Sequence, residues 1–102
     1  TQGMKPQDTG NLLWALAKMG FYPGTTLMSA ALTPFAQRDL LPRNYKPVDC
    51  ANILWAIGSF KRRPPVRVLH SLTVCALAEP KRLGEQDVSN LLWAVARLRY
   101  VP

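Results

Sequence analysis

Residues 8–19, DTGNLLWALAKM, recur at 49–60 as DCANILWAIGSF and at 87–98 as DVSNLLWAVARL. Asp, Asn, Leu, Trp and Ala return at the same offsets in each copy, and a proline follows each tryptophan after nine residues. Trp14 and Trp55 lie 41 residues apart, and Trp55 and Trp93 lie 38 apart. Gapless matches of this length do not arise by chance, so the chain is built from an internal repeat.

Each copy predicts one helix, called the A helix here, because its apolar residues keep helical spacing. An aspartate opens each copy, and its carboxylate suits the free N–H groups of a first helical turn. The predicted N-caps are Asp8, Asp49 and Asp87. Proline cannot continue a helix, so the prolines after the tryptophans are predicted to end the A helices.

Second helices, the B helices, are predicted between the copies, at about 25–37 and 66–79. Pro34 lies inside the first of them and is expected to kink or split it. Helix pairs that repeat at 38–41 residues predict an all-α fold, an α-solenoid of hairpins in the order A-B-A-B-A. We expect one helical-repeat segment over 1–102, with repeat 1 at about 6–46, repeat 2 at about 47–84 and a partial repeat 3 at about 85–102. We also expect this segment to belong to a longer array, with coverage of the last A helix by another chain as the alternative.

The stretch PQDTGNLLWALAKMGFYP at 6–23 closely resembles the octotricopeptide repeat, and the copies at 47–64 and 85–102 resemble it as well. The resemblance therefore covers essentially the whole chain, and it departs from the usual pattern where Gly58-Ser59-Phe60-Lys61 replaces Ala-Lys-Leu-Gly. It implies an RNA-binding protein of organelle gene expression, in a mitochondrion or chloroplast, that acts in transcript stability, processing or translation. Heptatricopeptide and FAST-kinase-like repeats are close relatives and remain alternatives.

Composition supports an acidic partner. Thirteen Lys and Arg against six Asp and Glu give a net charge of +7 over 102 residues, which favours nucleic acid. No nucleophile–base arrangement, phosphate-binding glycine loop or metal-ligand spacing is present, so we predict no enzyme, no cofactor and no metal. The two cysteines are predicted to be buried thiols. No apolar run is long enough for a membrane span, so a soluble protein without a membrane partner is expected.

The positions that every copy shares are interpreted as structural, because a residue present in every repeat cannot distinguish one base from another. The tryptophans are predicted to be largely buried and to stack between neighbouring A helices, with stacking on RNA bases as the alternative. The asparagines are predicted to form a hydrogen-bonded ladder between repeats, with RNA contact as the alternative. These structural positions are Asp8, Asn11, Trp14, Asp49, Asn52, Trp55, Asp87, Asn90 and Trp93.

Recognition of RNA is expected at positions that vary between copies. Small residues at the start of the A helices are weak candidates for base readout: Thr9, Gly10, Cys50, Ala51, Val88 and Ser89. Cations near the helix ends, interleaved with aromatic residues, are candidates for contact with single-stranded RNA. These cations are Lys18, Lys61, Arg62, Arg63, Arg67, Arg97 and Arg99.

Three functions therefore follow from the sequence. The first is a reader of single-stranded RNA. The second is a structural subunit of a large organellar ribonucleoprotein, such as a mitochondrial ribosome, that contacts rRNA and other subunits. The third is a protein-binding scaffold repeat, which the positive net charge disfavours.

Overall fold

The computed structural model describes residues 6–36 and 46–99, which form five α-helices. They are α1 (Pro6–Lys18), α2 (Thr25–Ala36), α3 (Pro47–Phe60), α4 (Val66–Leu77) and α5 (Glu85–Arg97), with a short 3-10 helix at Pro80–Arg82. The described residues contain no β-strand, so the predicted all-helical fold class is confirmed. In this part of the chain, no helix combines the length and the apolar character needed to cross a membrane. Residues 37–45, at the end of predicted repeat 1, and Pro102, which was predicted to end the third A helix, lie outside the described residues.

The A helices are α1, α3 and α5, and α3 lies at the centre of the molecule. It packs against α1, α5 and α4, and α4 packs in turn against α2. Apolar side chains from all five helices meet in one core, as expected for helices with one apolar stripe. The largest core side chains are completely buried, namely Leu13, Phe35, Ile53, Leu54, Ile57, Leu69 and Leu72.

The A helices begin three residues earlier than predicted, because the repeated aspartates are not N-caps. Each is the third residue of its helix, as the starts of α1, α3 and α5 show. The backbone N–H of Lys46 donates to Asp49 Oδ2 over 3.1 Å, and that of Gly84 donates to Asp87 Oδ2 over 2.9 Å. This contact is half of a capping box, and it still places negative charge in the first helical turn.

The A helices also end before the prolines that were predicted to end them. Six residues after each tryptophan the backbone turns left-handed, with φ of 71° at Gly20, 57° at Lys61 and 53° at Arg99. At the end of α1, the N–H of Gly20 donates to Ala17 O (3.0 Å) and the N–H of Phe21 donates to Leu16 O (2.9 Å). This pair of bonds is a Schellman motif, which ends a helix without any proline.

Replacing Gly20 with alanine should lower the free energy of unfolding by about 1 kcal/mol, because a Cβ disfavours the left-handed region. A Cβ at Gly20 would have no neighbour within 4 Å, so the cost is conformational and not steric. Gly20→Asn is the matched control and should cost less, since asparagine tolerates this region better. Urea denaturation checks the order, and equal stability of the alanine variant and the wild type would contradict it.

Of the two effects expected of Pro34 on α2, the split is not found and the kink stays a prediction. The helix runs continuously over Thr25–Ala36, and Pro34 lies in its last turn. Proline has no N–H and so removes its own hydrogen bond to the residue four before it, yet the helix continues through Pro34 to Ala36. The neighbouring Thr33 hydroxyl donates to Ser29 O over 2.7 Å within the same helix.

Gly58 allows α3 and α5 to approach closely. A Cβ built there would lie 3.2 Å from Ala94 Cα and 3.3 Å from both Ala94 Cβ and the ring of Trp93. The glycine that departs from the repeat pattern therefore lies where two A helices nearly touch. This close approach brings the tryptophans of α3 and α5 within reach of each other.

Candidate nucleic-acid interface

The three repeated tryptophans form a row across the A helices, called the tryptophan ladder here. The ring centroids of Trp14 and Trp55 are 6.2 Å apart with planes at 38°, and those of Trp55 and Trp93 are 6.1 Å apart at 33°. Tilted contacts at this distance are favourable between aromatic rings. The predicted contact between tryptophans of neighbouring A helices is confirmed.

The prediction that all three rings are largely buried is wrong. Trp14 is 39% exposed and Trp93 is 42% exposed, whereas Trp55 is half-buried between them. Each ring lies at the edge of the helix layer and not in the apolar core, and the two end rings have a tryptophan neighbour on one side only. The ladder therefore presents aromatic surface to solvent.

Two of the candidate cations lie over the ladder. Lys18 Nζ is 5.5 Å from the centroid of Trp14 and 5.8 Å from that of Trp55, so it lies over two rings at once. Arg97 Cζ is 5.1 Å from the Trp93 centroid, and Arg97 Nε donates to Gly58 O over 3.1 Å. Both are cation–π contacts, and both side chains remain exposed. Aromatic surface and positive charge therefore lie side by side.

The asparagines lie beside the ladder in an open groove of about 720 Å³. Within residues 6–36 and 46–99 no hydrogen bond joins Asn11, Asn52 and Asn90 to one another, so the predicted asparagine ladder is wrong. Asn90 Oδ1 accepts instead from Gln86 Nε2 of its own helix, over 3.0 Å. The groove is lined by Asn11, Trp14, Lys18, Val48, Asn52, Trp55, Gln86, Asp87 and Asn90.

Base readout at the start of the A helices is contradicted in the first two copies. Thr9, Gly10, Cys50 and Ala51 are all buried. A Cβ built on Gly10 would lie 3.4 Å from Asp49 O, so this small residue faces α3 and not a ligand. These positions are small because helices pack there. Val88 and Ser89 in the third copy are exposed.

The cations that follow α3, at 61–63 and 67, do not lie together in one cluster. Arg62 Cζ lies 4.5 Å from the ring centroid of Tyr22, which itself packs edge-on against Phe60 at 5.4 Å. Arg67 points elsewhere, because its Nη1 donates to Ala36 O at the end of α2 over 3.4 Å. Lys61 and Arg63 are exposed and are not held in this way.

Lys61 and Arg63 instead join Arg97, Arg99 and Leu98 around an open cleft of about 390 Å³, the basic cleft. Sequence reasoning missed this grouping, because it combines the turns that follow two different A helices. A signal was available, since Lys61 and Arg99 both stand six residues after a tryptophan. Arg97 belongs to the basic cleft and also covers Trp93, so it links the cleft to the ladder.

The two cysteines lie away from both features, and the prediction of buried free thiols is confirmed. A hydrogen bond with the Cys75 thiol, together with burial, raises the pKa of Cys50 well above its usual range. Cys50 therefore remains a neutral thiol at physiological pH and behaves as a small apolar residue.

The arrangement can hold a chain that carries flat rings and negative charges. The exposed surface of Trp14 and Trp93 offers aromatic area for stacking, asparagine amides offer donors and acceptors, and the basic cleft offers positive charge. Comparisons of the chain with protein-family models, with curated proteins and with solved structures found no match. The case for a function therefore depends on the geometry of the tryptophan ladder and the basic cleft.

Proposed function

We propose that this protein binds single-stranded RNA through the tryptophan ladder and the basic cleft, and that it is a binding protein and not an enzyme. The observation that carries the proposal is the exposed aromatic ladder with Lys18 and Arg97 over its rings. Single-stranded RNA is held by aromatic stacking together with cations along its backbone. Trp14 and Trp93 keep 39% and 42% of their surface exposed, which leaves aromatic area for a base.

Bases stack on the two ends of the ladder in this proposal. Trp14 and Trp93 are the more exposed rings, whereas Trp55 already packs on a neighbour at each side. The asparagines line the same groove as Trp14 and Trp55, and in this proposal they contact the edges of stacked bases. Stacking provides affinity for any base, and the amides provide a means of preference.

In this proposal the phosphates of the RNA contact the cations beside the tryptophan ladder and in the basic cleft. Lys18 lies beside Trp14 and Trp55, and Arg97 leads from Trp93 to the basic cleft, where Lys61, Arg63 and Arg99 add three further charges. The net charge of +7 favours approach of a polyanion from any direction. The RNA path in this proposal runs along the ladder and ends in the cleft.

The wider context rests on the sequence resemblance. We infer that the chain is an α-solenoid segment of the octotricopeptide type, acting in a mitochondrion or chloroplast on transcript stability, processing or translation. The packing order supports the solenoid, because the A helices contact one another in sequence and α2 contacts α4.

Replacing Trp93 with alanine tests the proposal. One stacked base is worth about 1–3 kcal/mol, so affinity for single-stranded RNA should fall about five- to hundredfold. Trp93→Phe keeps an aromatic face and should retain most of the affinity. Fluorescence anisotropy with a labelled oligonucleotide measures both variants, and circular dichroism verifies their helical content.

Leu77→Ala is the matched control, because Leu77 is an exposed apolar residue on α4 that lines neither the groove nor the basic cleft. It should leave RNA affinity unchanged. A folded Trp93→Ala variant with wild-type affinity would refute stacking at the ladder, and a folded wild type without RNA affinity would refute the proposed function.

A second candidate is a structural subunit of an organellar ribonucleoprotein. It is favoured by apolar side chains that remain exposed on the outer flanks of the A helices, such as Met19 directly after α1 and Leu92 on α5. Exposed apolar surface of this kind marks contact with protein. A folded chain that binds no single-stranded RNA would favour this candidate.

A further inference from the structure

Each A helix has two flanks, and on the central helix α3 they are covered by the neighbouring A helices α1 and α5. Relative to the tryptophan, positions −2, +1 and +5 form the rear flank. In the third copy these are Leu91 and Ala94 of α5 and its C-cap residue Leu98, all buried. Positions −5, −4, −1 and +3 form the front flank, which includes the buried Gly58 of α3. The two flanks meet where Gly58 of α3 approaches Ala94 of α5. An A helix therefore covers the rear of the next A helix with its own front.

Two flanks are left uncovered by the described residues. The rear flank of α1, extended by the residue that follows the helix, exposes Leu12 (38%) and Met19 (71%), whereas the front residue Leu13 is buried. On α5 the front flank exposes Val88 (41%) and Leu92 (65%). In α3 the residues at the positions of Leu12 and Leu92 are completely buried. The exposed surfaces are thus the two halves of a contact that the chain already makes twice.

The uncovered halves match in shape. α5 carries Ala96 at the position where α3 carries Gly58, and α1 carries Ala17 there. Since α1 packs against α3 with alanine at this position, α5 can accept a rear flank in the same way. The rear flank of α1 offers Ala15 where α5 offers Ala94. Small residues therefore face each other where the helices come closest.

The end of α5 also matches the end of α3 in its polar groups. Gly58 O accepts from the Lys61 N–H over 3.2 Å and from Arg97 Nε over 3.1 Å. Ala96 O accepts from the Arg99 N–H over 3.2 Å in the same left-handed turn. A carbonyl can accept twice, and Lys18 stands at the repeat position of Arg97. Ala96 O at the end of α5 can therefore accept from Lys18 of a docking α1, just as Gly58 O of α3 accepts from Arg97.

We propose that the front flank of α5 binds the rear flank of α1 in a second copy of this chain, head to tail. A contact between two different flanks does not close on itself, so copies add in an open chain. One helix flank is smaller than a standard interface, so the contact is weak and depends on concentration. In such an assembly Trp93 of one copy lies next to Trp14 of the following copy, which extends the ladder. The assembly requires no RNA.

Sedimentation velocity from about 10 µM to about 1 mM protein tests the proposal. The average mass of the wild type should rise with concentration above the 11.4 kDa of one chain. A front variant, Val88→Glu with Leu92→Glu, and a rear variant, Leu12→Glu with Met19→Glu, should each remain monomeric. A control variant, Val74→Glu with Leu77→Glu on α4, adds the same charge elsewhere and should associate like the wild type.

An equimolar mixture of the front and rear variants gives the sharpest result. Each retains one intact flank, and the two intact flanks are complementary, so the mixture should form a species of twice the monomer mass and no larger one. The proposal is overturned if the wild type remains monomeric, if either variant alone associates like the wild type, or if the mixture stays monomeric. Loss of association in the α4 control would equally overturn it, since the contact would then be unspecific.

Discussion

Replacing all four cations of the basic cleft with alanine is expected to lower the affinity for single-stranded RNA about two to three orders of magnitude at 0.1 M salt. Each phosphate neutralised on a single strand contributes a slope of about −0.7 to the dependence of log K on log salt concentration. Lys61, Arg63, Arg97 and Arg99 line the cleft together, so their loss should remove a slope of about −2.8. Filter binding in a salt titration measures this slope for the variant and the wild type.

The control for this variant removes the same charge from elsewhere. Lys46, Arg67, Lys81 and Arg82 line neither the groove beside the ladder nor the basic cleft. Replacing these four with alanine should change the slope far less, although the net charge falls equally. Equal slopes for the two variants would mean that the protein attracts RNA by its overall charge, and the cleft would then have no special part in binding.

Replacing Phe35 with alanine is expected to lower the free energy of unfolding by about 3–5 kcal/mol. Phe35 lies in α2, is completely buried and belongs to the core that joins α2 to α3 and α4. Removing the ring takes away buried apolar area and leaves a cavity that the helices fill only in part. The free energy of unfolding of a single domain is about 5–15 kcal/mol, so the variant should retain little stability.

Urea denaturation measures this loss against Phe21→Ala. Phe21 is the same residue type with 58% of its surface exposed, and its replacement should change stability by no more than about 0.5 kcal/mol. Similar values for the two variants would contradict the placement of Phe35 in the core. They would also mean that α2 contributes little to the cooperative unit.

The helices were predictable from the sequence because their apolar residues keep one period, but their ends were not. An aspartate near a helix start can serve as the N-cap or as the third residue, and both uses suit its carboxylate. Only the backbone shows that Asp49 and Asp87 accept from residues 46 and 84. The left-handed turn could not be predicted from the repeat either, because its position holds glycine in the first copy but lysine and arginine in the other two.

The candidate site was predictable in its membership and not in its grouping. Repeat spacing is sufficient to place the tryptophans next to one another, because neighbouring A helices pack with the same register. It does not show whether a ring faces the core or the solvent, so the exposure of Trp14 and Trp93 was missed. The grouping of cations depends on contacts between turns, which separate Arg67 from Lys61 and bring Arg99 to it.

At the left-handed turns after α3 and α5, the residue type that best suits folding differs from the one that suits the proposed RNA binding. Glycine is the residue that favours this backbone, as at Gly20, yet Lys61 and Arg99 adopt it with φ of 57° and 53° and both line the basic cleft. A more stable version of the protein would carry glycine at these two positions and would lose half of the positive charge of the cleft. In the proposed function, selection for RNA affinity favours cations at these two positions, whereas selection for thermal stability favours glycine.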